Sequence, residues 1–174
     1  MTFNGKTVAV VGNSDAWINK KNVSRGEEID SNEIVCRFNF GINTQMNHEC
    51  LGSKCDVAFL NNSRLLYSKI DGLENAHVVH TSLKFREDAM CDEMIPEECV
   101  HEVSKLAGVD RPTSGLIAIH WIHSLGAKKI LLYAFDFGKS KSWYHTRKDD
   151  NSPHDFLNEE RFVKSGYYEN LFIQ

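Results

Sequence analysis

The segment Val8-Ala9-Val10-Val11-Gly12-Asn13-Ser14 constrains the fold of this chain more than any other. Four successive apolar residues, three of them valine, predict a buried strand that ends at Gly12. The run then breaks into Gly-Asn-Ser, and such a break leaves backbone N–H groups and small polar side chains free to meet an anion. Taken alone, the turn is also compatible with an ordinary β-turn built from good turn formers.

Apolar runs of strand length alternate along the chain with stretches of helical periodicity. Strands are predicted over residues 6–11, 33–37, 56–60, 76–80 and 129–135, and helices over 63–70, 97–106, 116–125 and 156–163. This alternation predicts an α/β protein with a single Rossmann-like domain over residues 1–174, in which helices flank a mainly parallel sheet. A length of 174 residues fits one domain with a sizeable core.

The carboxyl ends of the predicted strands carry polar residues. Ligands of open α/β sheets bind beyond these ends. Gly12-Asn13, residues 37–39 and residues 136–138 each follow a predicted strand. We therefore expect these three segments to converge on one site.

The composition indicates which partners the protein can bind and in which cellular compartment it functions. The formal net charge is −4 and the chain has no dense basic stripe, so we expect no nucleic-acid partner. No apolar run approaches the roughly 20 residues of a membrane span, and the first residues do not read as a signal peptide. The five cysteines are irregularly spaced and predict reduced thiols. We expect a cytoplasmic protein.

Two segments carry donors suited to an anion. Gly12 permits a tight turn, after which the Asn13 amide can donate to a phosphate or pair with a base or ribose. Pro112-Thr113-Ser114-Gly115 precedes a long apolar stretch and predicts a helix start. The N–H groups and hydroxyls of that start can also bind an anion. An ordinary turn and a plain helix cap remain the alternatives.

Two histidines have the chemistry of group transfer. His145 follows Trp143-Tyr144 in a loop, where a histidine can neutralise a departing phosphate. His154 stands five positions before Glu159, and a histidine that titrates near neutrality suits removal of a proton from a hydroxyl. A surface loop and a helix start with a partly exposed histidine are the structural alternatives.

The sequence offers no convincing metal site. His120 and His123 lie three positions apart on an apolar helix with no third ligand evident. Asp149-Asp150 is acidic, but its two carboxylates are adjacent and lack an Asp-x-Asp spacing. We therefore assign no metal and no other cofactor.

Four of these segments, in order, resemble the sialylmotifs of the eukaryotic-type sialyltransferases, which transfer sialic acid from CMP-sialic acid to a sugar hydroxyl. The large motif is matched over residues 8–60, with Ile29-Asp30-Ser31 and Arg37-Phe38-Asn39 inside it. The small motif is matched from Pro112 through Gly138. The third motif is matched at Trp143-Tyr144-His145, and the last at His154 and Glu159.

The resemblance implies a GT-A-like fold, an inverting reaction without a metal, and a role for each matched residue. The donor would be CMP-sialic acid or a CMP-Kdo-like relative, and the acceptor a glycan. His154 would be the general base, supported by Glu159. The remaining matched residues would bind the CMP-sugar, with His145 on its phosphate: Asn13, Ser14, Asn39, Thr113, Ser114, Gly115 and His145.

The chain also departs from the family pattern. A bridging cysteine pair of the vertebrate members is replaced by Val8 and, approximately, Ala127, which fits a reducing compartment. If the sequence is a trimmed piece of a longer chain, the resemblance implies the Golgi lumen instead. Two other functions stay open at this point. One is a catalytically inactive module that binds CMP or another nucleotide. The other is a Rossmann-type enzyme that uses another nucleotide cofactor or S-adenosylmethionine, although the glycine spacing does not fit the dinucleotide fingerprint.

Overall fold

A computed structural model describes residues 2–19, 24–43, 47–84, 86–146 and 151–174. The acidic pair Asp149-Asp150 lies outside the described residues. The strands are β1 (Thr7–Val11), β2 (Ile34–Phe38), β3 (Val57–Leu60), β4 (His77–His80), β5 (Glu93–Met94), β6 (Lys129–Tyr133) and β7 (Leu171–Ile173). The α-helices are α1 (Asp15–Ile18), α2 (Gly26–Asp30), α3 (His48–Leu51), α4 (Ser63–Tyr67), α5 (Glu97–Ala107), α6 (Ser114–Ser124) and α7 (Phe156–Val163). Short 3₁₀ turns span Asn39–Ile42 and Leu73–Asn75.

The seven strands form one sheet in the order β5-β4-β3-β2-β1-β6-β7. Every neighbouring pair is parallel. Strand β1 lies inside the sheet, with Val8 opposite Ile34 of β2 on one side and Ile130 of β6 on the other. The predicted α/β class with a mainly parallel sheet is therefore confirmed.

Helices cover both faces of the sheet, which explains why β1 is apolar throughout. Val8 and Val10 belong to the core shared with α5, α6 and α7. Ala9 and Val11 belong to a second core against α2 and α3. Alternate residues of β1 thus enter opposite cores, as the two-residue period of a strand requires. None of the helices in the described ranges is long and apolar enough to cross a bilayer.

Strand β6 ends earlier than the sequence predicts. The apolar run continues to Phe135, but the strand stops at Tyr133 because Ala134 adopts a left-handed φ of 54°. Phe137 has the same φ of 54°. Such a backbone is rare for residues other than glycine, asparagine and aspartate. It ends the strand where the backbone of residues 133 and 134 contacts Gly12, directly after β1.

Candidate functional site

A cavity of about 450 Å³ opens at the carboxyl end of the sheet. The ends of β1, β2 and β6, the first turn of α6 and the start of α7 all contribute to its lining. Every residue predicted from the sequence to belong to the site lines this cavity: Asn13, Ser14, Asn39, Thr113, Ser114, Gly115, His145, His154 and Glu159. Segments far apart in the sequence therefore meet where the parallel topology predicted.

The turn after β1 packs directly on the turn after β6. The N–H of Gly12 donates to the carbonyl of Tyr133 at 2.7 Å. A side chain at Gly12 would place its Cβ 2.5 Å from the carbonyl oxygen of Ala134, closer than real Cβ atoms approach. Glycine is therefore required here by the close contact between the two backbones.

The amide of Asn13 is fixed from several sides. Its Nδ2 donates to the carbonyl of Phe38 and to the hydroxyl of Tyr144, both at 3.3 Å. Its Oδ1 lies over Gly41, where an added Cβ would stand 1.8 Å away. The Asn13 carbonyl also accepts a hydrogen bond from the Trp143 N–H at 2.9 Å. This residue thus connects the end of β2 with the segment that carries His145.

Asn39 begins the loop after β2 with a left-handed φ of 49°. Asparagine tolerates this conformation better than most residues. Its Oδ1 accepts a hydrogen bond from the N–H of Asn61 at 3.0 Å, so it joins the ends of β2 and β3. Asn39 is half-buried at the cavity wall.

Helix α6 directs its N-terminus at the cavity. Thr113 caps the helix by accepting a hydrogen bond from the Leu116 N–H at 3.2 Å. Among the described residues, the N–H groups of Ser114 and Gly115 have no hydrogen-bond partner. Gly115 also lies close to Phe135, whose Cε1 would be 3.0 Å from an added Cβ. Free N–H groups at the start of a helix form a binding site for an anion.

Glu159 holds that helix start in place. Its side chain is buried, with 3% of the residue exposed. Its Oε1 accepts from the Thr113 N–H at 2.7 Å and its Oε2 from the Thr113 hydroxyl at 2.6 Å. Burial raises the pKa of this carboxyl, and the two hydrogen bonds from Thr113 oppose that rise. Because both oxygens are occupied, Glu159 is placed to position Thr113.

His154 lies on the same wall with one ring nitrogen committed. Its Nδ1 is 2.8 Å from the carbonyl oxygen of Arg111. A carbonyl can only accept, so we infer that Nδ1 carries a hydrogen. In the neutral ring Nε2 is then unprotonated and available to take a proton. The residue is half-buried at the edge of the cavity.

His145 is an exposed residue of the cavity lining. Its ring packs edge-on against Tyr144, with 4.6 Å between the ring centroids. Its backbone N–H donates to the carbonyl of Ser142 at 2.8 Å. Tyr144 in turn packs against Phe40 at 5.8 Å. The aromatic contacts hold the histidine beside the cavity while its imidazole remains accessible to solvent.

Asp136 and Tyr144 entered the sequence analysis only as members of segments expected at the site, and Ser140 was not included in it. Asp136 accepts hydrogen bonds from the hydroxyls of Ser14 and Ser140 and from the Ser140 N–H. Its place directly after a buried strand was the available signal, because residues 136–138 were expected at the ligand-binding edge. The contacts of Ser140 and Tyr144 depend on the path of the loop after β6, which no periodicity encodes.

In the described part of the chain, no three histidine, cysteine or acidic side chains come together as a metal site. His120 and His123 are engaged elsewhere, with Tyr168 at 3.2 Å and Asn170 at 3.0 Å. All five cysteines are free thiols. Neither histidine of this pair lines the cavity.

Solved structures share the fold of this chain. A mammalian sialyltransferase in complex with Gal-β1-3GalNAc-ortho-nitrophenol matches with a TM-score of 0.70 and 18% identity, covering 98% of this chain and 69% of that one. The sialyltransferase CstII from Campylobacter jejuni, in complex with the substrate analogue CMP-3FNeuAc, matches with a TM-score of 0.59 and 18% identity, over 97% and 80%. The monofunctional α-2,3-sialyltransferase Cst-I from the same organism matches with a TM-score of 0.59 and 16% identity, over 99% and 77%.

No protein-family model matches the sequence, and no curated protein matches it significantly. At these identities the structural matches establish architecture: the chain has the GT-A-like α/β fold of the sialyltransferases. A fold can host several reactions, so the residues of the cavity determine which reaction this chain can carry out.

Proposed function

We propose that this chain is a glycosyltransferase that moves sialic acid, or a related ulosonic acid such as Kdo, from a CMP-linked donor to a hydroxyl of a glycan acceptor. The observation that carries the proposal is a convergence. Nine residues from four separated segments were predicted from the sequence to form a CMP-sugar site. All nine line one cavity in a fold shared with sialyltransferases.

The start of α6 is the part of the cavity best suited to the donor phosphate. Ser114 and Gly115 offer backbone N–H groups there, and the helix dipole adds partial positive charge. His145 on the rim can donate a hydrogen bond to the same phosphate. Asn13 and Asn39 line the cavity after β1 and β2, where their amides can contact the nucleotide or the sugar.

The proposed reaction uses His154 as the base. An acceptor hydroxyl attacks the anomeric carbon on the face opposite CMP, and its proton passes to Nε2 of His154. A new carbon–oxygen bond forms as the bond between the anomeric carbon and the phosphate oxygen breaks. CMP leaves with that electron pair, and the configuration at the anomeric carbon is inverted. Glu159 acts through Thr113 by keeping the start of α6 in position.

The proposal includes no metal and no other cofactor. CMP departs with a single phosphate, and its charge can be met by His145 and the α6 N–H groups. We also propose a reducing, cytoplasmic setting, which the five free thiols fit.

The test begins with calorimetric binding of CMP, UMP, GDP, NAD and S-adenosylmethionine, each with and without EDTA. We expect binding of CMP that EDTA does not change. Release of CMP from CMP-sialic acid and from CMP-Kdo is then measured against a panel of glycan acceptors. Acceptor-dependent release from either donor supports the proposal.

Each alternative has its own outcome in this test. Tight binding of CMP without release from either donor, under any acceptor, would identify a nucleotide-binding module. Binding of NAD or S-adenosylmethionine in preference to CMP would identify another Rossmann-type enzyme. Loss of transfer in EDTA, restored by a divalent cation, would overturn the metal-free mechanism.

A further inference from the structure

One side of the cavity carries a hydrogen-bonded group of three residues, Ser14, Asp136 and Ser140. We call this group the acceptor corner because it offers hydrogen-bond acceptors; the name does not refer to the glycan acceptor. The Asp136 Oδ2 accepts from the Ser14 hydroxyl at 2.8 Å and from the Ser140 N–H at 2.9 Å. It also accepts from the Ser140 hydroxyl. All three residues line the cavity.

A count of protons gives this corner its chemical character. A serine hydroxyl has one hydrogen, and both hydroxyls have acceptors inside the protein. Both lie within hydrogen-bond distance of Asp136 Oδ2, the two serine oxygens are 3.0 Å apart, and the Ser140 oxygen is 3.3 Å from the Lys141 carbonyl. Both hydroxyl hydrogens are therefore used within the protein, whichever of these acceptors each one takes. The second oxygen of Asp136, Oδ1, receives no hydrogen bond from the residues that the structure describes. The acceptor corner thus offers lone pairs and negative charge, and no free donor.

This character is opposite to that of the α6 helix start, which offers N–H groups. A nucleoside monophosphate has a matching asymmetry, because its phosphate is anionic while its ribose hydroxyls are donors. Cytosine adds an exocyclic amino group that donates, whereas uracil has a carbonyl oxygen at the same position. A carboxylate attracts such donors and repels a phosphate.

We propose that Asp136 is a specificity-determining residue, whose carboxylate accepts a hydrogen bond from an uncharged donor of the bound nucleotide. The donor is the cytosine amino group or the 2′-hydroxyl of the ribose. This inference rests on the proposed use of a CMP-linked donor and extends it. It assigns the choice of nucleotide to the acceptor corner and the binding of phosphate to the start of α6.

The test compares three nucleotides on three proteins by calorimetry. The nucleotides are CMP, UMP and 2′-deoxy-CMP, and the proteins are the wild type, Asp136→Asn and Asp71→Asn. Asp71 is an exposed aspartate outside the cavity and serves as the matched control. The wild type is expected to bind CMP about tenfold more tightly than at least one of the two analogues, as for one hydrogen bond to a charged group.

Asp136→Asn places an amide where the carboxylate stood. If Asp136 reads the base, the ratio of the UMP and CMP dissociation constants falls toward one in this variant and stays unchanged in Asp71→Asn. If it reads the ribose, the ratio for 2′-deoxy-CMP and CMP falls instead. A merely structural role would weaken all three nucleotides equally, and that result would overturn the inference.

Two further outcomes keep the inference separate from the proposed function. If the wild type binds CMP but binds UMP and 2′-deoxy-CMP equally well, the inference fails and the proposed function stands. Because this comparison uses only the wild type, it tests the inference even if Asp136→Asn does not fold. If the wild type binds no CMP, the proposed function fails, and the inference fails with it.

Discussion

Glu159 and Asp136 both line the cavity, but their carboxylates are held in different ways. Glu159 is 3% exposed, and each of its oxygens accepts a hydrogen bond from Thr113. Asp136 is half-buried and concentrates its hydrogen bonds on Oδ2. Both oxygens of Glu159 are hydrogen-bonded within the protein, while Oδ1 of Asp136 receives no hydrogen bond from the described residues.

The two carboxylates show that one cavity can contain a residue that stabilises the fold and another that is available to bind a ligand. A buried carboxylate with both oxygens bonded fixes the backbone of its partner, because leaving either bond unmade would cost free energy. A partly open carboxylate contributes less to the fold and remains available to a ligand. We therefore expect changes on the Glu159 side to alter rate and stability, and changes at the acceptor corner to alter the choice of ligand.

The largest expected effect is that of His154→Ala on the rate of transfer. Loss of a general base lowers the rate by about 10²–10⁴-fold. Because His154 lies on the Glu159 side of the cavity, the preference for CMP over UMP should not change. Initial rates of CMP release and calorimetric dissociation constants check the two statements. If the variant folds like the wild type and keeps the full rate, His154 is not the general base. If its preference for CMP over UMP changes, the distinction between the Glu159 side and the acceptor corner is contradicted.

The next effect is on stability, where Thr113→Ala should exceed Ser14→Ala. Thr113→Ala removes a helix cap and leaves Oε2 of the buried Glu159 without its partner, at a cost of about 1–3 kcal/mol. Ser14→Ala leaves Asp136 with Ser140 and access to solvent, and should cost less than about 1 kcal/mol. Urea denaturation gives both free energies of unfolding. Thr113→Ser, which keeps the hydroxyl, is the control and should restore most of the loss; equal costs for the two alanine variants would contradict the distinction.

The smallest effect is a pH dependence that belongs to Glu159. Burial raises the pKa of this carboxyl in the folded protein above its ordinary value of 4.5. Its contribution to the free energy of unfolding is therefore fully present below pH 4.5 and is lost as the pH rises through the folded-state pKa. Glu159→Gln removes this titration. The stability of the wild type relative to the variant should fall as the pH is raised through that range.

Other acids do not disturb this measurement. The pKa values of Glu33 and Glu160 are lowered, by a hydrogen bond from the Thr7 N–H and by the Lys139 ammonium respectively. Both residues are present in the wild type and in the variant, so their contributions cancel in the difference. A difference that rises with pH would mean that the hydrogen bonds from Thr113 outweigh burial at Glu159.

The longer elements could be predicted from the sequence because their patterns are local. The apolar run of β1 and the periodicity of α5 each indicate their own structure, and both were predicted within one or two residues. Helices α1, α2 and α3 have four or five residues each and were not predicted. Helices this short have no stability of their own and form through contacts with the rest of the fold.

The residues that lie at the site could be predicted better than the hydrogen bonds between them. Asn13 and Asn39 follow strands, so the parallel topology alone brings them to one edge. The bond between Asn13 and Tyr144 depends on how the loop after β6 returns across β1. The left-handed backbone of Ala134 starts that return, and alanine gives no sequence signal for such a conformation.

The position of β1 beside β6 also has a consequence for the folding rate. Ser14 and Asp136, at the ends of these strands, are 122 positions apart in the chain and 2.8 Å apart in the structure. Closing so long a loop costs conformational entropy, and we expect this cost to delay such contacts during folding. The acceptor corner therefore arises only when the two strands have joined. Recovery of ligand binding during refolding will report the assembly of the whole sheet, and not the formation of any single helix.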